Sequence, residues 1–201
     1  IDNPNNTYFN YIFDLMKKSA TETLAAKALL ALDHEETYPR LSDMLSAPDT
    51  KIKSKKLILK ILHHFIRKKP LNLIFATMKS SHLTLINEAS NALINISKNQ
   101  NLSDDHLSKI EDSILLLAQR AFQLHLFKST IINDSYSILI KDHVDYDLSI
   151  IIPVLLKLGT LKEPEIPIER YIHYVKSNDK ELLPLVLELV ESTFTSNSKK
   201  F

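Results

Sequence analysis

The sequence predicts an all-α protein made of short helices in antiparallel pairs. Three observations lead there. Apolar residues recur at spacings of three and four along nearly the whole chain. Caps and prolines divide that pattern into segments joined by turns of about 3–6 residues. The 201 residues include a single glycine, Gly159, so the glycine-dependent turns of tight β-hairpins have almost nowhere to form.

The elements follow in order. The first helix is predicted near Tyr8–Met16, with Tyr8, Ile12 and Leu15/Met16 inward. Ser19 followed by Glu22 has capping-box spacing and opens a second helix at about 21–32, its stripe Ala25, Ala28, Leu29 and Leu32. A third, at about 37–46 and started by Pro39, carries Leu41, Met44 and Leu45 and is broken by Pro48-Asp49-Thr50. A fourth runs from about Ile52 to Ile66. Pro70 suits a helix start before Leu71, Ile74, Phe75 and Met78. Thr84 is the expected cap of a helix at about 85–98 that buries Leu85, Ala89, Ala92, Leu93 and Ile96.

After Asn101 the pattern becomes less regular. Ser103 caps a longer helix at about 104–127, with Leu107, Ile110, Ile114, Leu117 and Ala121 inward. Helices near 129–141, 147–158, 166–176 and 180–194 are expected, with Asp147 and Asn178 as caps and with kinks or late starts at Pro153 and Pro184. Residues 195–201 form a frayed tail. Tyr8, Tyr11, Phe65, Phe75 and Phe122 occupy expected core spacings.

Composition narrows the chemistry. The chain has no cysteine, which removes disulfides, thiolate metal sites and cysteine nucleophiles. One glycine cannot build a phosphate loop, a dinucleotide fingerprint or an EF-hand loop. No nucleophile elbow and no paired catalytic carboxylates stand out. Asp142, His143, Asp145 and Asp147 cluster in an expected loop, where helix capping explains them better than a metal does. Asp104-Asp105-His106 likewise forms a helix first turn, where acids suit the positive dipole end. No cofactor is implied. Neither an apolar run long enough to cross a membrane nor a signal peptide is visible, and a cytoplasmic location is expected. The chain begins at Ile1 instead of methionine, as an excised domain or a processed chain would.

A repeat is legible. Ala25-Ala28-Leu29-Leu32 recurs 64 residues later as Ala89-Ala92-Leu93-Ile96, with the helix 52–66 between them, and Pro39 and Pro70 lie 31 apart. Two helices per period of about 32 residues point to an α-solenoid, because a single pair cannot bury its own apolar face. The expected domain is one solenoid over 1–201, regular over about 8–98 and less so over about 103–194.

The unit of proline, short helix ending in leucines, Pro-Asp turn, Ile-Lys and second helix resembles a HEAT repeat, an armadillo-like module. That resemblance implies a right-handed superhelical stack whose second helices line a concave surface. The stretch from Ile168-Glu169-Arg170-Tyr171-Ile172 through Leu187-Glu188-Leu189-Val190-Glu191 is similar to the C-terminal end of HEAT-type domains appended to bacterial membrane carriers resembling ATP/ADP translocases. It departs from that pattern at Val186 and Glu191, where the family run has alanine and aspartate. The similarity implies a cytosolic regulatory module of a membrane-attached protein, and no transport by this piece.

Charge is uneven. Residues 1–50 carry four bases and eight acids, 51–87 nine bases and no acid, and 88–201 twelve bases and sixteen acids, which sums to the net +1. On the helix 52–66, Lys53, Lys56, Lys60, His63, His64 and Arg67 fall opposite Ile58, Leu59, Leu62, Phe65 and Ile66. The cationic stripe is roughly 20 Å long at 1.5 Å per residue. On the next second helix, Asn87, Asn91, Asn95 and Lys98 share a face, and amides in a row suit an extended peptide backbone. A wet face rich in asparagine explains the same row.

The expected function is a non-catalytic interaction or regulatory module. Its partner would be an acidic protein surface or peptide held by Lys53, Lys56, Lys60, His64, Arg67, Asn87, Asn91 and Lys98. A nucleic-acid-binding solenoid of the DNA-repair type would use the same stripe on phosphates, and a structural spacer would leave it solvated. Net +1 and the lack of tryptophan weigh against the nucleic-acid reading.

Overall fold

The computed structural model describes residues 4–65, 70–131 and 137–161. These residues form eight α-helices and no strand, so the chain is all-α over this range. The helices are α1 (Pro4–Met16), α2 (Glu22–Leu30), α3 (His34–Ser46), α4 (Ile52–Leu62), α5 (Leu71–Met78), α6 (Leu83–Ser97), α7 (Asp104–Thr130) and α8 (Ser137–Thr160). Contacts gather into two compact units, Ile1–Gln100 and Asn101–Phe201. The division falls where the sequence pattern changes. The expected helices 166–176 and 180–194, the Asn178 cap and the tail lie outside the described residues.

In the first unit each helix packs on its sequence neighbour: α1 on α2, α3 on α4, α5 on α6. In addition α4 packs on α6, and α3 touches α5. The core follows from the apolar stripes. Ala25 and Leu29 of α2, Leu41 and Leu45 of α3, Leu71, Ile74, Phe75 and Met78 of α5, and Leu85, Ala89, Ala92, Leu93 and Ile96 of α6 are buried as the spacing predicts, whereas Ala28 is exposed and Leu32 and Met44 are half-buried. On α4, Leu57, Ile58, Leu59, Ile61 and Leu62 are buried, and Phe65 just beyond it packs under His34 and Tyr38 with ring centroids 4.6 and 5.9 Å apart.

Several local expectations are corrected. On α1 the buried residues are Phe9, Phe13 and Met16, and Tyr8 and Tyr11 are 61% and 64% exposed. Two helical stripes one residue apart were available, and the phenylalanines took the core because a phenolic hydroxyl needs a polar partner there. The Ser19–Glu22 capping box does not form. Thr21 is the N-cap of α2, and its hydroxyl donates to the Leu15 carbonyl at 2.6 Å, which ties the α1–α2 turn. Helix α3 starts at His34, because Asp33 accepts a hydrogen bond from the Glu35 N–H at 2.9 Å as its N-cap. Pro39 therefore sits inside α3 and does not start it. Helix α4 ends at Leu62, four residues before the expected end. His82, not Thr84, precedes α6 as N-cap.

In the second unit α7 and α8 pack on each other. Ser103 caps α7 as predicted, its hydroxyl accepting from the His106 N–H while the His106 ring accepts from the Ser103 N–H. Ile110, Ile114, Leu117 and Ala121 face inward as expected, and Leu107 is only half-buried. The expected helices 129–141 and 147–158 are replaced by α7 running on to Thr130 and by one continuous α8. Val144, Leu148, Ile151, Leu155 and Leu158 are buried along a single stripe of α8. That burial outweighs the loop-forming tendency of the acidic run. Arg120 pairs with Asp147 at 3.6 Å, and Lys128 pairs with Asp145, so the two helices are also pinned by charge.

Candidate interaction surface

The predicted cationic face belongs to α4. Lys51 is its N-cap residue and makes no side-chain cap, and its first turn holds no acid. Cations at this positive dipole end are unfavourable by a few tenths of a kcal/mol to about 1 kcal/mol. Lys53 and Lys60 are exposed and Lys56 is half-buried. Lys53 and Lys56 take part in none of the ion pairs formed among the described residues. Arg67 lies outside the described residues.

Lys60 differs from its neighbours on the face. Its ammonium is 2.5 Å from the Glu22 carboxylate at the start of α2, 38 residues away. The lysine side chain is 44% exposed and the glutamate 31%. Each partner also suits its own helix end: Glu22 stands in the first turn of α2 and Lys60 in the last turn of α4. Glu22 is the residue of this surface that local sequence patterns do not reveal, because no acid lies within the basic block itself.

At the C-terminal end of α4 the His63 and His64 rings lie 4.0 Å apart. His64 is exposed. His63 is half-buried, and its Nδ1 is buried without a hydrogen-bond partner. Burial pushes the His63 pKa below its ordinary value, the positive charge on a protonated His64 pushes the same way, and a backbone hydrogen bond at Lys60 opposes both.

The α6 row is less available than the sequence implies. Asn87, Asn91 and Asn95 are each half-buried, and only Lys98, the C-cap, is exposed. The Asn91 amide reaches the Glu88 carboxylate at 3.5 Å, and the backbone carbonyl of Asn95 accepts from the Asn99 side-chain amide at 2.9 Å. Because α4 packs on α6, the lysine face and the asparagine row belong to neighbouring helices of one unit.

The rest of the described surface offers less chemistry. A small cleft between α1 and α3 is lined by Phe9, Leu32, Asp33, Glu36, Thr37 and Arg40, with the Arg40 guanidinium over the Phe9 ring at 5.4 Å. Asp142, His143, Asp145 and Asp147 are helical residues of α8 and do not converge. No group of three or more metal-ligating side chains occurs among the described residues. None of the described helices is long and apolar enough to cross a membrane. Phe122, expected in the core, is 63% exposed and shares the outer side of α7 with Leu115 and Leu126. Phe65 and Phe75 are buried as expected. Compared with models of known families, with curated proteins and with solved structures, the chain matches none of them.

Proposed function

We propose that the chain is a non-catalytic interaction module that takes an acidic, extended protein segment along the α4 face. The observation that carries this reading is the pair Lys53 and Lys56. They stand on a helix whose first turn lacks any acid, and their charges find no carboxylate among the described residues. Like charges at spacings of three and four cost a helix a few tenths of a kcal/mol per pair, and an incoming anion removes that cost. The neighbouring α6 carries the half-buried row Asn87, Asn91 and Asn95, side chains of a chemistry suited to a peptide backbone.

The HEAT-like reading belongs to the same proposal. The second helix of each pair starts at residue 22, 52 and 83, spacings of 30 and 31 residues, which supports a repeat. The contacts of α4 with α6 and of α3 with α5 support second helices stacking on second helices and first on first. In a right-handed solenoid of this kind the α4 face lines the concave side. The resemblance to carrier-appended domains further supports a module on the cytosolic side of a larger, membrane-attached protein.

The test is binding of a fluorescent polyglutamate peptide, read by anisotropy at about 150 mM salt, where screening over about 8 Å suppresses weak long-range attraction. The Lys53→Glu/Lys56→Glu variant should lose binding while keeping its helical circular dichroism. Wild-type protein that ignores polyglutamate but binds duplex or single-stranded DNA tightly, with loss in the variant, would replace the acidic segment by nucleic acid. Binding unchanged in the variant would make the lysine face a solvated surface.

A further inference from the structure

Resting on that reading, we infer that Glu22 is a built-in competitor that holds Lys60 out of the α4 binding face until a partner carboxylate displaces it. Three features carry this. The pair joins two different helices, Glu22 on α2 and Lys60 on α4, so its two members are held by separate elements and separate without unfolding either helix. Both side chains reach solvent, so an incoming carboxylate has access to the ammonium. An exposed pair of this kind is worth only about 0–1 kcal/mol, a grip that a second carboxylate can match.

The spacing defines what displaces it. Along the helix axis Lys53 and Lys56 are about 4.5 Å apart, and Lys56 and Lys60 about 6 Å. An extended chain repeats its side every two residues, about 6.6–6.8 Å. A segment with acids at alternate positions therefore places one carboxylate at Lys56 and the next at Lys60. The open lysines at the start of α4 make the first contact. Lys60 is engaged only by a segment long and acidic enough to take over from Glu22, so the pair sets a threshold on partner length and charge.

The experiment is a double-mutant cycle in polyglutamate binding on the whole chain: wild type, Glu22→Gln, Lys60→Gln and both, with Asp43→Asn as a control. Asp43 is an exposed acid on α3 in the same unit. Glu22→Gln should tighten binding roughly two- to fivefold, the fold-change that the worth of an exposed pair allows. Lys60→Gln alone should change little, because what Lys60 gains from polyglutamate is offset by the Glu22 pair it gives up, and it should erase the gain in the Glu22→Gln background. Asp43→Asn should stay within the general effect of one fewer acid, well below the Glu22→Gln gain. An equal gain from Asp43→Asn, or a Glu22→Gln gain that persists without Lys60, overturns the inference and leaves the acidic-segment reading standing. Failure of every variant to bind polyglutamate overturns that reading and the competitor with it.

Discussion

Leu62→Ala tests the phase of α4, on which the placement of the lysine face depends. Leu62 is 0% exposed at the last position of the helix. The substitution removes three carbons from a buried site, about 2.4 kcal/mol at about 0.8 kcal/mol per carbon. The cavity left between α4 and its neighbours adds to this wherever the packing cannot collapse, for a total of about 2–5 kcal/mol. Urea unfolding followed by circular dichroism is the assay. With slopes of about 1–3 kcal/mol per molar, the midpoint should fall by on the order of 1–3 M. Leu24→Ala is the matched comparison, because Leu24 on α2 is 71% exposed, and surface changes of this kind stay within about 0.5 kcal/mol. A Leu62→Ala cost below about 0.5 kcal/mol, or equal costs for the two variants, would refute the phase and turn the lysines toward the core.

Two further outcomes are expected. Ser103→Ala removes the hydroxyl that accepts from the His106 N–H and should lower the stability of the second unit by about 0.5–2 kcal/mol in thermal melts, while Ser108→Ala on the exposed side of α7 should not. His63 has a folded-state pKa below its ordinary value near 6.5, so the unfolded chain binds its proton more readily. The stability it contributes is fully present above about pH 6.5 and is lost as pH falls through the lower folded-state value. Urea midpoints measured from pH 7.5 downward should therefore show a decline that His63→Gln flattens, and an identical slope in both proteins would contradict it.

The parts of the fold that the sequence reveals are those where one stripe outcompetes all others. Leu85, Ala89, Ala92, Leu93 and Ile96 leave α6 one way to face, and all five are buried. Helix α1 had two stripes, and the choice between Tyr8 and Phe9 turned on a hydroxyl's need for a partner, which spacing alone does not weigh. Between residues 142 and 148 the acids dominate the local reading, while the signal that decides α8 is the longer row Val144, Leu148, Ile151, Leu155 and Leu158. Asp147, taken as a cap, is a helix-interior residue held by Arg120 from α7.

The α4 face shows the same limit in electrostatic form. A run of 37 residues without an acid implies unpaired lysines only if pairing is local. For Lys53 and Lys56 it is a sufficient guide, since neither finds a carboxylate among the described residues. For Lys60 it fails, because the partner comes from 38 residues away on another helix. Net charge within a window therefore measures what a helix offers before folding. What it presents afterwards is that charge less whatever the neighbouring helices supply, and here the difference is Glu22.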